Sequence, residues 1–168
     1  MNIADRKQRI KLFIADVDGT MTDGRINVSE SGEAFKSFNV KDGYGIGVIL
    51  SRYNIIPVII TGRSSDIVDR RAKELKIVEV YQGVKNKNDV LSDLCAKYRC
   101  NLSEVAFIGD DLPDLECMKK CGISGCPADA VDPVKSISNF VSTKNGGDGA
   151  VREFIDWLTE NTHNSQLQ

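Results

Sequence analysis

Asp16 and Asp18, one residue apart in Ala15-Asp16-Val17-Asp18-Gly19-Thr20, stand directly after the apolar run Leu12-Phe13-Ile14. A strand sends alternate side chains to one face, so both carboxylates would converge at its end, and Gly19 lets the backbone turn there. That spacing suits metal-assisted phosphoryl transfer. One carboxylate can attack phosphorus and bind Mg2+, while the other protonates the leaving oxygen and then activates water. Acidic residues also gather at strand ends with no chemistry attached, so the pair is weighed with the rest of the chain.

Two further apolar runs end in small and polar residues. After Val58-Ile59-Ile60 comes Thr61-Gly62-Arg63, where the Thr61 hydroxyl and the unobstructed Gly62 N–H suit a phosphate, although Thr-Gly also serves ordinary turns. After Val105-Ala106-Phe107-Ile108 comes Gly109-Asp110-Asp111-Leu112-Pro113-Asp114. Adjacent carboxylates behind a buried strand repel one another, and a divalent cation relieves that repulsion. Mg2+ takes a few carboxylates and keeps its other positions for water and phosphate, so Asp16, Asp110 and the main chain of Asp18 form a plausible set. Asp111 would sit behind them or bind through water, and Asp114 would orient the loop. A cation is also needed beside the transferring group. Lys87, at the end of Gln82-Gly83-Val84-Lys85-Asn86-Lys87, is the candidate, although most lysines are merely solvated.

These residues need a scaffold that brings several strand ends together. Short apolar runs alternate with amphipathic stretches, the rhythm of an α/β chain with a Rossmann-like, doubly wound, mainly parallel sheet. Strands are expected over Lys11–Ala15, Ile56–Thr61, Val78–Tyr81, Val105–Ile108, Gly122–Gly125 and Phe140–Val141. Helices are expected over Gly43–Arg52, capped by Asp42, over Ser65–Leu75, capped by Ser64 or Ser65, and over Lys87–Tyr98, Leu112–Lys120 and Ala150–Leu158. Arg25–Asn39 breaks this rhythm and reads as a β-hairpin inserted after the first strand. It would overhang the catalytic end of the sheet or pair with another subunit.

The 168 residues, 41% hydrophobic, suffice for a single domain, with flexible ends expected at residues 1–10 and 160–168. A net charge of -2 with both signs mixed argues against a nucleic-acid or anionic-membrane partner and favours a small molecule. A cytoplasmic location follows from the absence of any long apolar segment. Five cysteines, an odd number without a CxxC pair, read as reduced thiols, and the spacing of Cys117, Cys121 and Cys126 argues against zinc. The one histidine, His163, lies in the polar tail, which excludes a Ser-His or Cys-His nucleophile.

Together, the DxDGT loop at Asp16, the Thr61 turn, Lys87 and the GDDxxD loop at Asp110 resemble the haloacid dehalogenase superfamily of phosphotransferases, over nearly the whole chain. The resemblance implies an aspartyl-phosphate on Asp16, acid and then base catalysis by Asp18, phosphoryl binding by Thr61 and Lys87, and Mg2+ at Asp110. Members usually carry a cap domain, for which this chain has no room. It therefore looks like the capless subgroup, in which a homotetramer encloses the substrate. Phe38-Asn39-Val40-Lys41-Asp42-Gly43-Tyr44-Gly45, Arg70-Arg71-Ala72, Tyr81-Gln82-Gly83 and the glycine-rich Gly146–Glu153 segment are similar to members acting on keto-acid sugar phosphates in lipopolysaccharide precursor synthesis. Such a substrate carries a carboxylate, which arginine binds through paired hydrogen bonds. That makes Arg63 and Arg71 candidate substrate-binding residues, with arginine at position 63 favouring an eight-carbon over a nine-carbon sugar. A phosphorylatable receiver module and a non-catalytic regulatory module are the competing readings: Asp18 argues against the first, because a receiver needs no acid/base residue there, and the intact acid, base, metal and lysine positions argue against the second.

Overall fold

The computed structural model describes residues 2–160. In chain order its strands are β1 (Leu12–Ala15), β2 (Asn27–Ser29), β3 (Gly32–Phe35), β4 (Ile56–Ile60), β5 (Glu79–Tyr81), β6 (Val105–Ile108), β7 (Ile123–Cys126) and β8 (Phe140–Val141). Strands β2 and β3 pair antiparallel as the expected hairpin. The other six form one sheet, in the order β5-β4-β1-β6-β7-β8, with every neighbouring pair parallel.

Strand β1 is buried at every position because both faces of the sheet are covered, which is why its sequence is an unbroken apolar run. Phe13 and Ala15 join Ile59, Ile108 and Phe154 on one face, while Leu12 and Ile14 join Ile60, Phe107 and Leu91 on the other. From β1 the chain builds β4 and β5 on one side, then returns to β6 on the opposite side. Strand order therefore reverses at β1, and the crevice beyond the carboxyl ends of β1, β4 and β6 is where such a sheet binds ligands.

The helices are α1 (Ile3–Lys7), α2 (Val40–Tyr44), α3 (Leu50–Arg52), α4 (Asp66–Glu74), α5 (Lys87–Lys97), α6 (Leu112–Lys120), α7 (Asp132–Ile137) and α8 (Ala150–Thr159). The helix expected from Gly43 starts earlier, at Val40, and passes through a π-turn at Gly45–Ile49 before α3. Asn39 caps it, accepting from Lys41 N at 2.8 Å. Asp42, expected to be that cap, is buried and accepts from Arg152 N at 2.7 Å instead. It thereby caps α8, whose own N-cap residue, Gly149, has no side chain to offer. Burial raises the Asp42 pKa to about 6. Ser65 caps α4 as expected.

Two short helices differ from the sequence expectation. No helix is expected ahead of the first strand, where α1 stands, its Arg6 donating to Gly122 O at 3.1 Å and its Lys7 donating to Trp157 O at 2.5 Å. Helix α7 packs Val134 into the core. His163 and the tail from residue 161 lie outside the described residues.

Candidate active site

Asp16 continues β1, and its N–H donates to Ile108 O at 3.0 Å, which fixes it beside the end of β6. Asp110 lies just beyond β6 and accepts from the Thr20 hydroxyl at 2.8 Å. Gly19 makes this approach possible: its φ is +96°, and a Cβ there would lie 2.1 Å from Asp110 Oδ2. Lys87 opens α5, behind the Asn86 cap, and only 5% of it is exposed. Its ammonium donates to Asp16 Oδ1 at 2.5 Å and to Asp114 Oδ1 at 2.6 Å. The other Asp114 oxygen accepts from the N–H groups of Asp110 and Asp111, at 3.2 and 3.4 Å.

Carboxylate oxygens of Asp16, Asp110 and Asp114 come within 4.8 Å of one another. Burial, then the neighbouring Asp114, raises the Asp16 pKa to about 7 against the opposing pull of Lys87. Burial likewise raises Asp110 to about 7, helped by Asp114 and Asp111 and opposed by the Thr20 hydrogen bond. For Lys87, burial works downward, but Asp16 and Asp114 prevail and its pKa is raised. The ammonium therefore stays charged among three carboxylates that it only partly neutralises. Hard oxygen donors carrying excess negative charge fit a small divalent cation such as Mg2+.

Asp18 faces the hairpin. Lys36, just after β3, donates to Asp18 Oδ1 and lies 3.0 Å from Glu33. Arg63 lies 3.7 Å from Asp18 Oδ2 and 3.4 Å from Glu33 Oε1, and the Ser65 hydroxyl donates to Glu33. Thr61 is buried, with its N–H donating to Tyr81 O at 2.9 Å.

Of the residues singled out in the sequence, Asp16, Asp18, Thr61, Gly62, Arg63, Lys87, Asp110, Asp111 and Asp114 line a single crevice. Asp111 also caps α6, accepting from Leu112 N at 2.7 Å. Asp114 orients the loop as expected and, in addition, anchors Lys87. Arg71 is not brought into the crevice. It pairs with Glu74 at 2.8 Å, reaches Asn39 O at 3.5 Å and lies 5.7 Å over the Phe38 ring.

Three contributors escaped the sequence reading: Thr20, Glu33 and Lys36. Thr20 adjoins the aspartate pair and was within reach of motif reasoning. The charged hairpin residues carry no local signal, since alternating polar residues are what a solvent-facing hairpin also shows. The Gly146–Gly147 segment packs on the catalytic loop. Gly146 N donates to Asp129 Oδ1 at 2.9 Å, and a Cβ at Gly146 would lie 1.9 Å from Gly19 O.

Residues 59–155 match the family model described as haloacid dehalogenase-like hydrolase. The 3-deoxy-D-manno-octulosonate 8-phosphate phosphatase of Salmonella typhi is 43% identical over 157 residues, which cover 94% of this chain and 83% of that protein. The crystal structure of the corresponding phosphatase from Moraxella catarrhalis, in complex with magnesium, phosphate and a KDO molecule, superimposes with a TM-score of 0.89. It is 42% identical, with 94% of this chain and 90% of that one covered. The cobalt-bound enzyme of Haemophilus influenzae gives a TM-score of 0.87 at 38% identity, with 92% and 90% covered.

Proposed function

We propose, for a chain that belongs to the haloacid dehalogenase-like hydrolases, the hydrolysis of 3-deoxy-D-manno-octulosonate 8-phosphate to the free sugar acid and inorganic phosphate. The carrying observation is the crevice itself, where Asp16, Lys87, Asp110 and Asp114 converge at the reversal of strand order, in a chain this similar to phosphatases of that ester. Such an enzyme supplies a precursor of lipopolysaccharide.

Asp16 is the nucleophile. Its carboxylate oxygen attacks phosphorus, the bond from phosphorus to the sugar oxygen breaks, and that oxygen leaves with the electron pair and takes a proton from Asp18. Asp18 then removes a proton from water, whose oxygen attacks the aspartyl-phosphate, releasing phosphate and restoring Asp16. Lys87 offsets charge on Asp16 and on the phosphoryl oxygens, and Thr61 and Gly62 hold those oxygens from the end of β4. Asp16, Asp110 and the main chain of Asp18 would hold Mg2+, which would supply charge neutralisation at the phosphoryl group. Asp114 keeps Lys87 and the Asp110 loop in place.

Arg63, about half exposed at the crevice mouth, suits the substrate carboxylate. The hairpin exposes Val28 and Phe35, 72% and 55% accessible, which supports assembly of copies as a homotetramer. Among the described residues, no helix is long and apolar enough to cross a membrane.

The test is phosphate release, with Mg2+ and with chelator, from the eight-carbon ester, its nine-carbon analogue and hexose phosphates. Mg2+-dependent preference for the eight-carbon ester is expected. Preference for the nine-carbon ester would keep the chemistry and overturn the substrate, while absence of turnover on every ester would overturn both.

A further inference from the structure

Lys36 lies outside every motif, and its side chain is only 1% exposed. Burying an ammonium is costly unless carboxylates receive it, and here Glu33 and Asp18 do. Glu33 is itself fixed from the far side by the Ser65 hydroxyl and by Arg63. The two oxygens of Asp18 thus face cations from different elements, Lys36 from the hairpin and Arg63 from the loop after β4. Asp18 belongs to a loop that turns at Gly19, so its carboxyl group has no regular element of its own to aim it. We infer that Lys36 is a positioning residue that aims the Asp18 carboxyl group at the leaving oxygen, so that docking of the hairpin sets up the acid–base step.

The inference rests on the phosphatase reading, and leaving-group chemistry separates it from a merely structural ion pair. When the phosphorus–oxygen bond breaks, a sugar alkoxide needs the Asp18 proton, whereas p-nitrophenolate departs without one. The ratio kcat/KM covers events only through that first cleavage, so the later attack by water does not enter it.

The experiment compares wild type and Lys36→Met, both with Mg2+, on 3-deoxy-D-manno-octulosonate 8-phosphate and on p-nitrophenyl phosphate. The expected loss in kcat/KM on the sugar ester is about a hundredfold, the scale of a general-acid contribution, with a loss at least about tenfold smaller on the aryl ester. Equal losses on the two esters, or no loss on the sugar ester, would overturn the inference. Glu33→Gln, which keeps the shape of the residue anchoring Lys36, provides the second reading. A selective loss on the sugar ester supports the inference there too, and a uniform loss overturns it, so a Lys36→Met chain that fails to fold still leaves a decision. Failure of the wild type on both esters would instead overturn the phosphatase reading, and the inference with it.

Discussion

At the inner end of the crevice three carboxylates, those of Asp16, Asp110 and Asp114, gather around one ammonium, Lys87. At the outer end a pair of carboxylates, Asp18 and Glu33, meets a pair of cations, Lys36 and Arg63. The inner set carries an excess of negative charge in a dry environment, and its cost appears in the raised pKa values of Asp16 and Asp110. The outer set balances without help. Unbalanced charge is what a divalent cation and a phosphoryl group act upon, whereas balanced charge holds a side chain in place. Supporting structure differs as well: the inner residues stand on sheet ends and helix starts, while half of the outer set hangs on a hairpin that leaves Val28 and Phe35 exposed.

The largest way to break the inner set is Asp16→Asn. It removes the nucleophile while nearly preserving shape, so kcat falls by roughly four orders of magnitude or more, as for other covalent nucleophiles. Steady-state phosphate release reads the loss, and an unchanged circular dichroism spectrum shows that the fold survives. Lys87→Met comes next. Three carboxylates, those of Asp16 and Asp114 buried and that of Asp110 partly so, then have no ammonium among them, which costs about 3–5 kcal/mol of stability in chelator, the scale for breaking a buried pair. Urea unfolding measures it, and added Mg2+ recovers some of the loss. In the outer set Lys36→Met costs less, because Arg63 still faces both carboxylates. Equal costs would erase the distinction between the clusters.

A third prediction concerns pH. In chelator, Asp16 and Asp110 keep protons between 3.8 and about 7 that the unfolded chain has already lost. The folded state binds more protons in that window, so stability falls as pH rises through it. Saturating Mg2+ flattens the fall, because the cation favours the ionised carboxylates. Thermal melts across the window, with and without Mg2+, give the comparison, and identical profiles would contradict it. The smallest effect belongs to Arg63→Ala at the outer edge. It raises KM for the keto-acid ester by about tenfold, the scale of a charge-assisted hydrogen bond, and leaves KM for hexose phosphates nearly unmoved. Equal rises for the two classes would remove Arg63 from carboxylate recognition.

How much of this was legible in the sequence follows the same division. Strands buried on both faces announce themselves as unbroken apolar runs, so β1, β4 and β6, and with them Asp16, Thr61 and Asp110, could be placed from residue order alone. The outer cluster depends on how a hairpin folds back across the sheet, and nothing local to Glu33 or Lys36 encodes that. Asp42 illustrates the same limit. Its position favours a nearby helix cap, yet it caps α8, which lies far along the chain, because Gly149 leaves that helix start open. Arg71 stands on the expected helix, but its pairing with Glu74 and its place over Phe38 are tertiary matters. Helix α1 is too short to show a clear period and is fixed by Gly122 and Trp157, both distant in sequence.

The most direct test of the central claim, that the inner cluster performs covalent phosphoryl transfer to Asp16, is rapid acid quenching of Asp18→Asn with p-nitrophenyl phosphate, whose leaving group departs without the Asp18 proton, followed by peptide mass spectrometry. With its acid–base residue removed, the enzyme should accumulate a phosphoryl group on the peptide containing Asp16 when Mg2+ is present, and none in chelator. Release of phosphate at the wild-type rate with Asp16 never phosphorylated would contradict the account.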